Sequence, residues 1–463
     1  MTGIVAGSEW QPAFPLLWVL LAAIATTLAC HRHAVVQTVA VLACCATLGM
    51  TLAQMQGRGV EDVEGRELHG VVMSEPALKP KTVSVDVLVP DRGSTLRCYL
   101  WKDGRSLSVR LGDALLLEPG SLSRSETNGR TDFYFVKRGK WHFGGNALSH
   151  LSRWQSSRLW FLSQRHKLLR HYHNFGAEEE AYTVLAAMTL GDKSALNGQM
   201  RETFAVSGAS HVLAISGLHI GIVYGLLTWL TLGRRRFWLS QLLTVAAIWA
   251  FAMLTGLSAS VTRAAIMISL YAVFASRGGR ASPVNVLCFA AIVMLVADVQ
   301  TLFDIGFQLS FAAVFAILTF MPVLQAMFQP RNAILLYICN LCLVSLCAQM
   351  GVAPLLAYYF GRLPTYFLLT NFLVLPATML ILYGSFLSLV CPPASMALLW
   401  VVRLMNGGLR IIASLPAASI GGLNPSKTQV VLTYVFFTLC YAILRMVVPL
   451  NRINSAKNIQ KRN

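Results

Sequence analysis

The sequence predicts a polytopic α-helical membrane protein of about 11 transmembrane helices with one small β-barrel domain inserted near its start. Three observations predict it. Residues are 55% hydrophobic and only 13% charged, with a mean hydropathy of +0.58, which excludes an ordinary soluble protein. Apolar runs of about 20 residues recur, each long enough to cross the hydrocarbon core as a helix and too long for the strands of an outer-membrane barrel. One polar stretch, by contrast, alternates with period two.

The elements follow in order. Residues 1–56 form a transmembrane hairpin, with spans near 14–30 and 34–54 around His31-Arg32-His33. No basic residue precedes the first run, so that run is expected to stay as a helix and not to be cleaved. Residues 57–150 form the β domain. Thr82 to Val89 and Ser94 to Trp101 alternate as strands, Leu111 to Glu118 and Asp132 to Val136 continue the pattern, and Pro90 to Gly93 and Lys102 to Gly104 are turns, which predicts five or six strands. Residues 151–176 are expected to form a basic amphipathic helix in the head-group layer. Between Phe133 and Ala177 there is no acidic residue, while Lys137, Arg138, Lys140, Arg153, Arg158, Arg165, Lys167 and Arg170 alternate with Trp141, Trp154, Trp160, Phe161 and Leu168. Such a segment anchors at a membrane surface or guides a polyanion. Residues 177–450 hold nine further spans, near 209–231, 238–255, 261–276, 283–299, 307–325, 333–352, 367–390, 396–414 and 428–448, with residues 348–376 broken or re-entrant. A basic tail, 451–463, follows. With the β domain outside the cytoplasmic membrane, nine crossings place Arg234 to Arg236, Arg277, Arg280, Arg331 and the tail inside, as the positive-inside rule requires.

The net charge of +18 favours a phosphate-bearing partner. Of ten cysteines, nine fall in or beside apolar runs and read as small hydrophobes; Cys98 stands alone in the β domain. Cys339 and Cys342 lack a second Cys/His pair, so no metal and no cofactor is expected. No Walker-type phosphate loop is present either.

Intramembrane polar groups mark functional candidates, and they gather in four clusters. The first runs from Gly191-Asp192 through Ser207 to Gly221. Read as one helix, it puts His211 and His219 on a shared broad face, and Gly217, Gly221 and Gly225 form small-xxx-small steps for helix packing. Three readings compete there: hydrogen bonding between packed helices, hydrolysis by Ser216 with a histidine base though no carboxylate orients it, and lining of a path for an anion. The second cluster carries Ser258, Ser260 and Arg263, with Arg263 either snorkelling to the outer interface or contacting an anion. The third carries Asp304, Gln308 and Ser310; Asp304 is expected to pair with Arg263. The fourth runs from Pro354 to Asn371 and Pro376, a helix-breaking pattern tolerated where backbone lines a cavity.

The ordered run Gly191-Asp192, His211-Val-Leu-Ala-Ile-Ser-Gly-Leu-His219-Ile-Gly221, Thr255-Gly-x-Ser-x-Ser-x-x-Arg263-Ala and Asp304-Ile-Gly-Phe-Gln-Leu-Ser-Phe311 resembles the competence domain of the ComEC family of DNA-uptake channels. That resemblance implies an OB-like β-barrel domain after the first helical pair and a channel passing single-stranded DNA across the bacterial inner membrane during natural transformation. The polar clusters themselves suggest an anion path whose entry is surrounded by His211, Ser216, His219, Ser258, Ser260 and Arg263, with Asp304, Gln308 and Asn371 lining or gating it; the resemblance supplies single-stranded DNA as the substrate, and the expected partners are membrane lipids, a DNA receptor, a nuclease and a cytoplasmic motor ATPase. Tyr99, Trp101, Phe133, Tyr134 and Phe135 are available in the barrel for base stacking. The metallo-β-lactamase-like domain of many relatives is missing, along with any His-x-His-x-Asp-His motif, so no enzyme activity and no catalytic residue is expected. The rival is a transporter or envelope protein handling another anion, such as a phospholipid or a glycan.

Overall fold

The computed structural model describes residues 46–52 and 67–447, apart from 91–93, 128–129, 145–148, 150, 176–177, 232–236, 277–281, 329 and 331. Of the opening hairpin only residues 46–52, which are helical, fall among them; the rest of the hairpin and the basic tail lie outside the described residues. The chain divides into two compact units, residues 1–159 with 291–304 and residues 160–290 with 305–463.

In the first unit, alternation builds one eight-stranded sheet: β1 (Leu68–Val72), β2 (Ala77–Leu78), β3 (Thr82–Val89), β4 (Ser94–Trp101), β5 (Ala114–Leu117), β6 (Leu122–Thr127), β7 (Arg130–Val136) and β8 (Trp141–Phe143). Its order is β6-β7-β4-β3-β1-β5-β8, with β2 on β3. All pairs are antiparallel except β4 with β7. The predicted bounds of β3 and β4 hold, while β1, β2, β6 and β8 raise the strand number above the five or six expected. Strand β5 is shorter than predicted because Gly112, at φ +89°, turns the chain and donates its N–H to the Val72 carbonyl. Every second side chain points inward, giving a core that includes Val72, Val85, Cys98, Leu100, Leu115 and Trp141.

Helix α1 (Arg153–His173) is the predicted basic helix. Two helices that hydropathy did not single out follow, α2 (Glu179–Leu190) and α3 (Gly198–Ser207). The side chain of Asn197 accepts the Met200 N–H at 2.8 Å and starts α3. Left-handed Gly191 and Gly208 end the two helices. Then come α4 (Gly217–Thr231), α5 (Phe237–Leu254), α6 (Ala259–Ser276), α7 (Pro283–Ala297), α8 (Ile305–Met327), α9 (Ala333–Phe360), α10 (Phe367–Val390), α11 (Ala394–Ser414) and α12 (Lys427–Val447). A two-stranded ribbon pairs β9 (Arg362–Pro364) with β10 (Ser419–Gly421).

Helices α8 to α12 are long and apolar enough to cross a membrane, and shorter apolar helices lie over 217–229, 239–254, 259–274 and 283–297. The protein is therefore a multi-pass membrane protein. One span prediction needs correction. The segment 209–216 is not helical, so the fourth helix begins at Gly217. Of the two alternatives for residues 348–376 the structure shows the broken one, with the break at the ribbon strand β9 and not at the prolines: α9 continues through Pro354 and α10 through Pro376.

In the second unit, α2 and α3 share a core with α10 and α11 through Val184, Met188, Phe204, Val374, Ile381 and Met405. Helices α8 and α9 cross closely at Gly351, where an added Cβ would lie 2.5 Å from the Ala312 carbonyl. Helix α12 has no buried residue and turns Val431, Leu432, Val435, Phe436 and Leu439 outward, as a lipid-facing helix does.

A polar junction at the starts of three helices

The site is best built from the helix ends. Gly208 takes φ +84° to close α3, and a Cβ there would stand 2.9 Å from the Pro364 Cβ of β9. Beyond it the chain runs irregularly to Ser216. His211 lies in this stretch, its Nδ1 3.0 Å from the Gly208 carbonyl. It therefore does not share a helical face with His219, and the eight-residue spacing has no helical meaning here.

Ser216 and His219 form a reciprocal helix cap. The Ser216 Oγ accepts the Leu218 N–H at 3.2 Å, while His219 Nδ1 accepts the Ser216 N–H at 3.2 Å and lies 3.0 Å from its Oγ. This is the geometry of a capping box, with histidine in place of the usual glutamate. Because the backbone N–H only donates, Nδ1 is the accepting nitrogen and the ring proton sits on Nε2. That Nε2 is buried and has no hydrogen-bond partner among the described residues.

Helix α6 begins after a tight turn in which Gly256 and Leu257 both have positive φ, +87° and +56°. The turn is held by Leu257 N–H on the Ala252 carbonyl and Thr262 N–H on Ser258. Gly191 approaches it from α2; a Cβ there would be 3.0 Å from the Thr255 carbonyl. Ser258 is exposed, whereas Ser260 meets the Ser310 hydroxyl of α8 at 2.6 Å.

Arg263 does not snorkel. It is 4% exposed, donates through Nη1 to the Ser310 carbonyl, and lies 5.5 Å from the Phe311 ring centre. Its Nη2 stands 2.9 Å from where a Gly217 Cβ would be. Its Nε has no hydrogen-bond partner among the described residues. The N-terminal ends of α4, α6 and α8 thus converge on one buried guanidinium.

The remaining candidates scatter around this junction. Gln308 accepts the Tyr359 hydroxyl at 2.6 Å. The Asn371 Oδ1 is buried and unpartnered among the described residues, next to Thr370, which donates to the Ser207 carbonyl at 2.6 Å. Asp304 ends the 3-10 turn Val299–Phe303 and belongs to the first unit. Of the three small-residue positions, Gly217 meets Arg263 and Ala264 of α6, while a Cβ at Gly221 or Gly225 would have no neighbour within 4 Å among the described residues.

The basic residues divide as well. Lys137, Arg138, Lys140, Arg153, Lys167 and Arg170 are exposed. Arg158 and Arg165 are not free surface cations. Burial holds Arg158 below the usual arginine range, with Asp86 opposing that shift. Arg165 pairs with Asp192 at 3.4 Å, the two side chains 14% and 10% exposed, and reaches the turn at Gly256. Beside them, burial and the Arg201 charge lower Lys193 below the usual lysine range. Asp192 and Ser310 lay in the predicted clusters without an assigned role, while Tyr359 and Thr370 were missed as participants because their partners, Gln308 and Ser207, are far away in sequence.

A buried guanidinium and a buried imidazole N–H, both with donors unspent on the protein, suit a negatively charged guest. The family model for "Competence protein" matches residues 188–447. ComE operon protein 3 of Bacillus subtilis (strain 168) is 27% identical over 318 residues, 66% of this chain and 39% of that protein. Competence protein ComA of Neisseria gonorrhoeae is 28% identical over 153 residues, 31% of this chain and 22% of that protein. An uncharacterized protein of Aquifex aeolicus (strain VF5) is 28% identical over 289 residues, 58% of this chain and 67% of its own. The chain therefore spans well under half the length of the two named relatives. No solved structure matches it.

Proposed function

The chain belongs to the competence-protein family, and from that premise we propose that it passes single-stranded DNA across the bacterial cytoplasmic membrane during natural transformation. The observation that carries this reading is Arg263, a buried guanidinium at the meeting of three helix starts with a donor left over. A strand entering here would bring one phosphate after another past Arg263, His219 and the hydroxyls of Ser216, Ser258 and Ser260, which offer replaceable hydrogen bonds and no deep trap. In this reading the sheet is an OB-like module outside the cell, some eleven helices cross the membrane, and the chain performs no chemistry. A receptor, a nuclease and a cytoplasmic motor are supplied by other proteins.

The test is transformation frequency in the native host after deletion of the gene, with complementation at equal membrane abundance. Wild type should restore uptake, and Arg263→Ala and His219→Ala should not. Undiminished transformation on deletion would overturn DNA passage in favour of another anion such as a phospholipid or a glycan. Full rescue by both variants would keep the function and discard this path.

A further inference from the structure

Two of the apolar helices have both ends at one face of the membrane. The junction marks that face, because α4, α6 and α8 begin there: Gly217 meets Arg263, and Ser260 meets Ser310. Helix α5 ends beside them at Leu254, and α9 ends there too, with Tyr359 donating to Gln308 in the first turn of α8. The chain therefore enters α10 from the junction face, through β9. It leaves α11 on the same face, since β10 pairs with β9 and the Leu423 N–H reaches the Gly361 carbonyl at 3.0 Å. Helix α12 then crosses alongside α8 and α9, with the Tyr434 hydroxyl on the Gly351 carbonyl at 2.7 Å and Tyr441 against Phe320 at 5.4 Å.

The far end of α10 returns to the same place. In a crossing helix Phe386, nineteen residues beyond Phe367, would stand about 28 Å from it and near the opposite face. Instead its ring lies 6.4 Å from that of Phe251, three residues before the end of α5. It packs there on Ile215, Val261 and Ala264, at the starts of α4 and α6. Ser385 shares a hydrogen bond with Tyr172, which shares another with Thr189. Two residues on, Gly191 approaches the Thr255 carbonyl of the α5–α6 turn.

The charges agree with the contacts. Arg403 is the tenth of the 21 residues of α11 and would sit at mid-bilayer if that helix crossed. Yet it pairs with Glu178 at 3.2 Å, the two side chains 51% and 69% exposed, and Arg410 pairs with Glu180, both half-exposed. Exposed ions are costly in hydrocarbon and at home beside water. Next to these arginines Met396, Trp400, Leu404 and Ile411 recur at steps of four, four and seven along one exposed stripe, and Leu380 and Leu387 of α10 are exposed as well. An apolar stripe flanked by arginines suits the head-group layer.

We propose that α10 and α11 do not cross the membrane but lie as a hairpin in the head-group layer of the leaflet on the junction side, docking Met396, Trp400, Leu404 and Ile411 onto its acyl chains. Helices α2 and α3 pack on the buried side of the same hairpin. Two crossings leave the count together, so their parity is unchanged and every other connection keeps its side. Nothing in this placement depends on what passes the membrane, so the hairpin and DNA passage can fail separately.

The test keeps Cys391, in the α10–α11 turn, as the sole cysteine of the full chain in native membranes. Single cysteines from Asn424→Cys and Arg331→Cys report the junction side and the far side. A membrane-impermeant maleimide is applied to intact spheroplasts and to inverted vesicles. Cys391 should label from the same side as residue 424 and stay blocked from the side of residue 331, and Arg403→Cys should label with it. Labelling of Cys391 together with residue 331 would overturn the proposal, because a crossing hairpin puts its turn on the far side. Labelling of Cys391 from neither side would overturn the head-group placement. Trp400→Cys carrying an NBD fluorophore should be quenched by lipids bearing a nitroxide near the head of the chain. No quenching would give this stripe to a second copy or another protein and overturn the lipid contact.

Discussion

Gly217 lacks a side chain because Arg263 occupies the space one would need. Adding a methyl group there places it 2.9 Å from Nη2, and the guanidinium can retreat only by giving up the Ser310 carbonyl. Gly217→Ala should therefore lower the stability of the purified protein by about 1–3 kcal/mol, the usual range for overpacking. Gly221→Ala meets open space and should be neutral or raise it by up to about 1 kcal/mol, since alanine loses less backbone entropy. Unfolding midpoints of the two variants measured side by side check this, and equal losses would refute the contact at Gly217. Cys98 gives a pH prediction in the other unit. Burial, assisted by the Asp86 charge, pushes its thiol up to about 12 from a usual 9.0. The folded protein thus holds a proton that the unfolded chain releases above pH 9. This contribution to stability is intact below pH 9 and falls by about 1.4 kcal/mol per pH unit as pH climbs from there toward 12. At pH 8.5 Cys98 should stay unlabelled by iodoacetamide until the protein is denatured, because the thiolate is the reacting form; peptide mass spectrometry reads the site directly, and rapid labelling of native protein would contradict the burial.

At the scale of elements, helix α1 shows how a basic segment can be partly internal. Arg158, Leu162, Arg165, Leu169 and Tyr172 fall at four- and three-residue steps along one stripe, and each is buried or half-buried. Arg165 ties that stripe to Asp192 beyond the end of α2. Removing one partner from a buried pair leaves a desolvated charge, at about 3–5 kcal/mol, whereas an exposed pair is worth about 0–1. Asp192→Asn should accordingly destabilise the protein by well over 1 kcal/mol. Glu178→Gln, breaking a 3.2 Å pair with Arg403 whose side chains are 51% and 69% exposed, should change little. Comparable denaturation shifts for both would show that the Arg165 pair is solvated. Legibility followed the same physics. Strands β3 and β4 could be bounded to the residue because strict alternation marks them, and helix α10 because a predominantly apolar stretch of 24 residues does so despite Asn371 and Pro376. The stretch 209–216 was misread as helix because Val212, Leu213 and Ile215 are apolar and buried; the features that break it, the left-handed Gly208 and the Ser216 cap, declare themselves only in three dimensions. The site was half legible: Ser216, His219 and Arg263 stood out as polar groups in apolar runs, while the Ser260–Ser310 pair joins residues 50 apart and no local pattern announces it.

For the whole molecule, the decisive quantity is the parity of crossings. From α4 to α12 there are nine helices among the described residues, and the expectation that nine crossings return every arginine-rich connection to the cytoplasm depends on each of them spanning. The shortest members are α4 and α7. Their 15 residues each reach about 22 Å, short of the roughly 30 Å of hydrocarbon. If α7 does not cross, every later segment changes sides, carrying Arg331 and the basic tail outward against the positive-inside bias. The charge distribution therefore argues that the membrane thins locally or that the segment spans with its flanking residues included. Single cysteines at residues 102, 280, 331 and 452, in a background with the native cysteines replaced and probed in intact cells with a membrane-impermeant maleimide, decide it. Labelling at 102 alone is the expected outcome. Labelling at 331 and 452 but not at 280 would remove α7 from the crossings, and the outer loops at Arg362 and Lys427 would then face the cytoplasm.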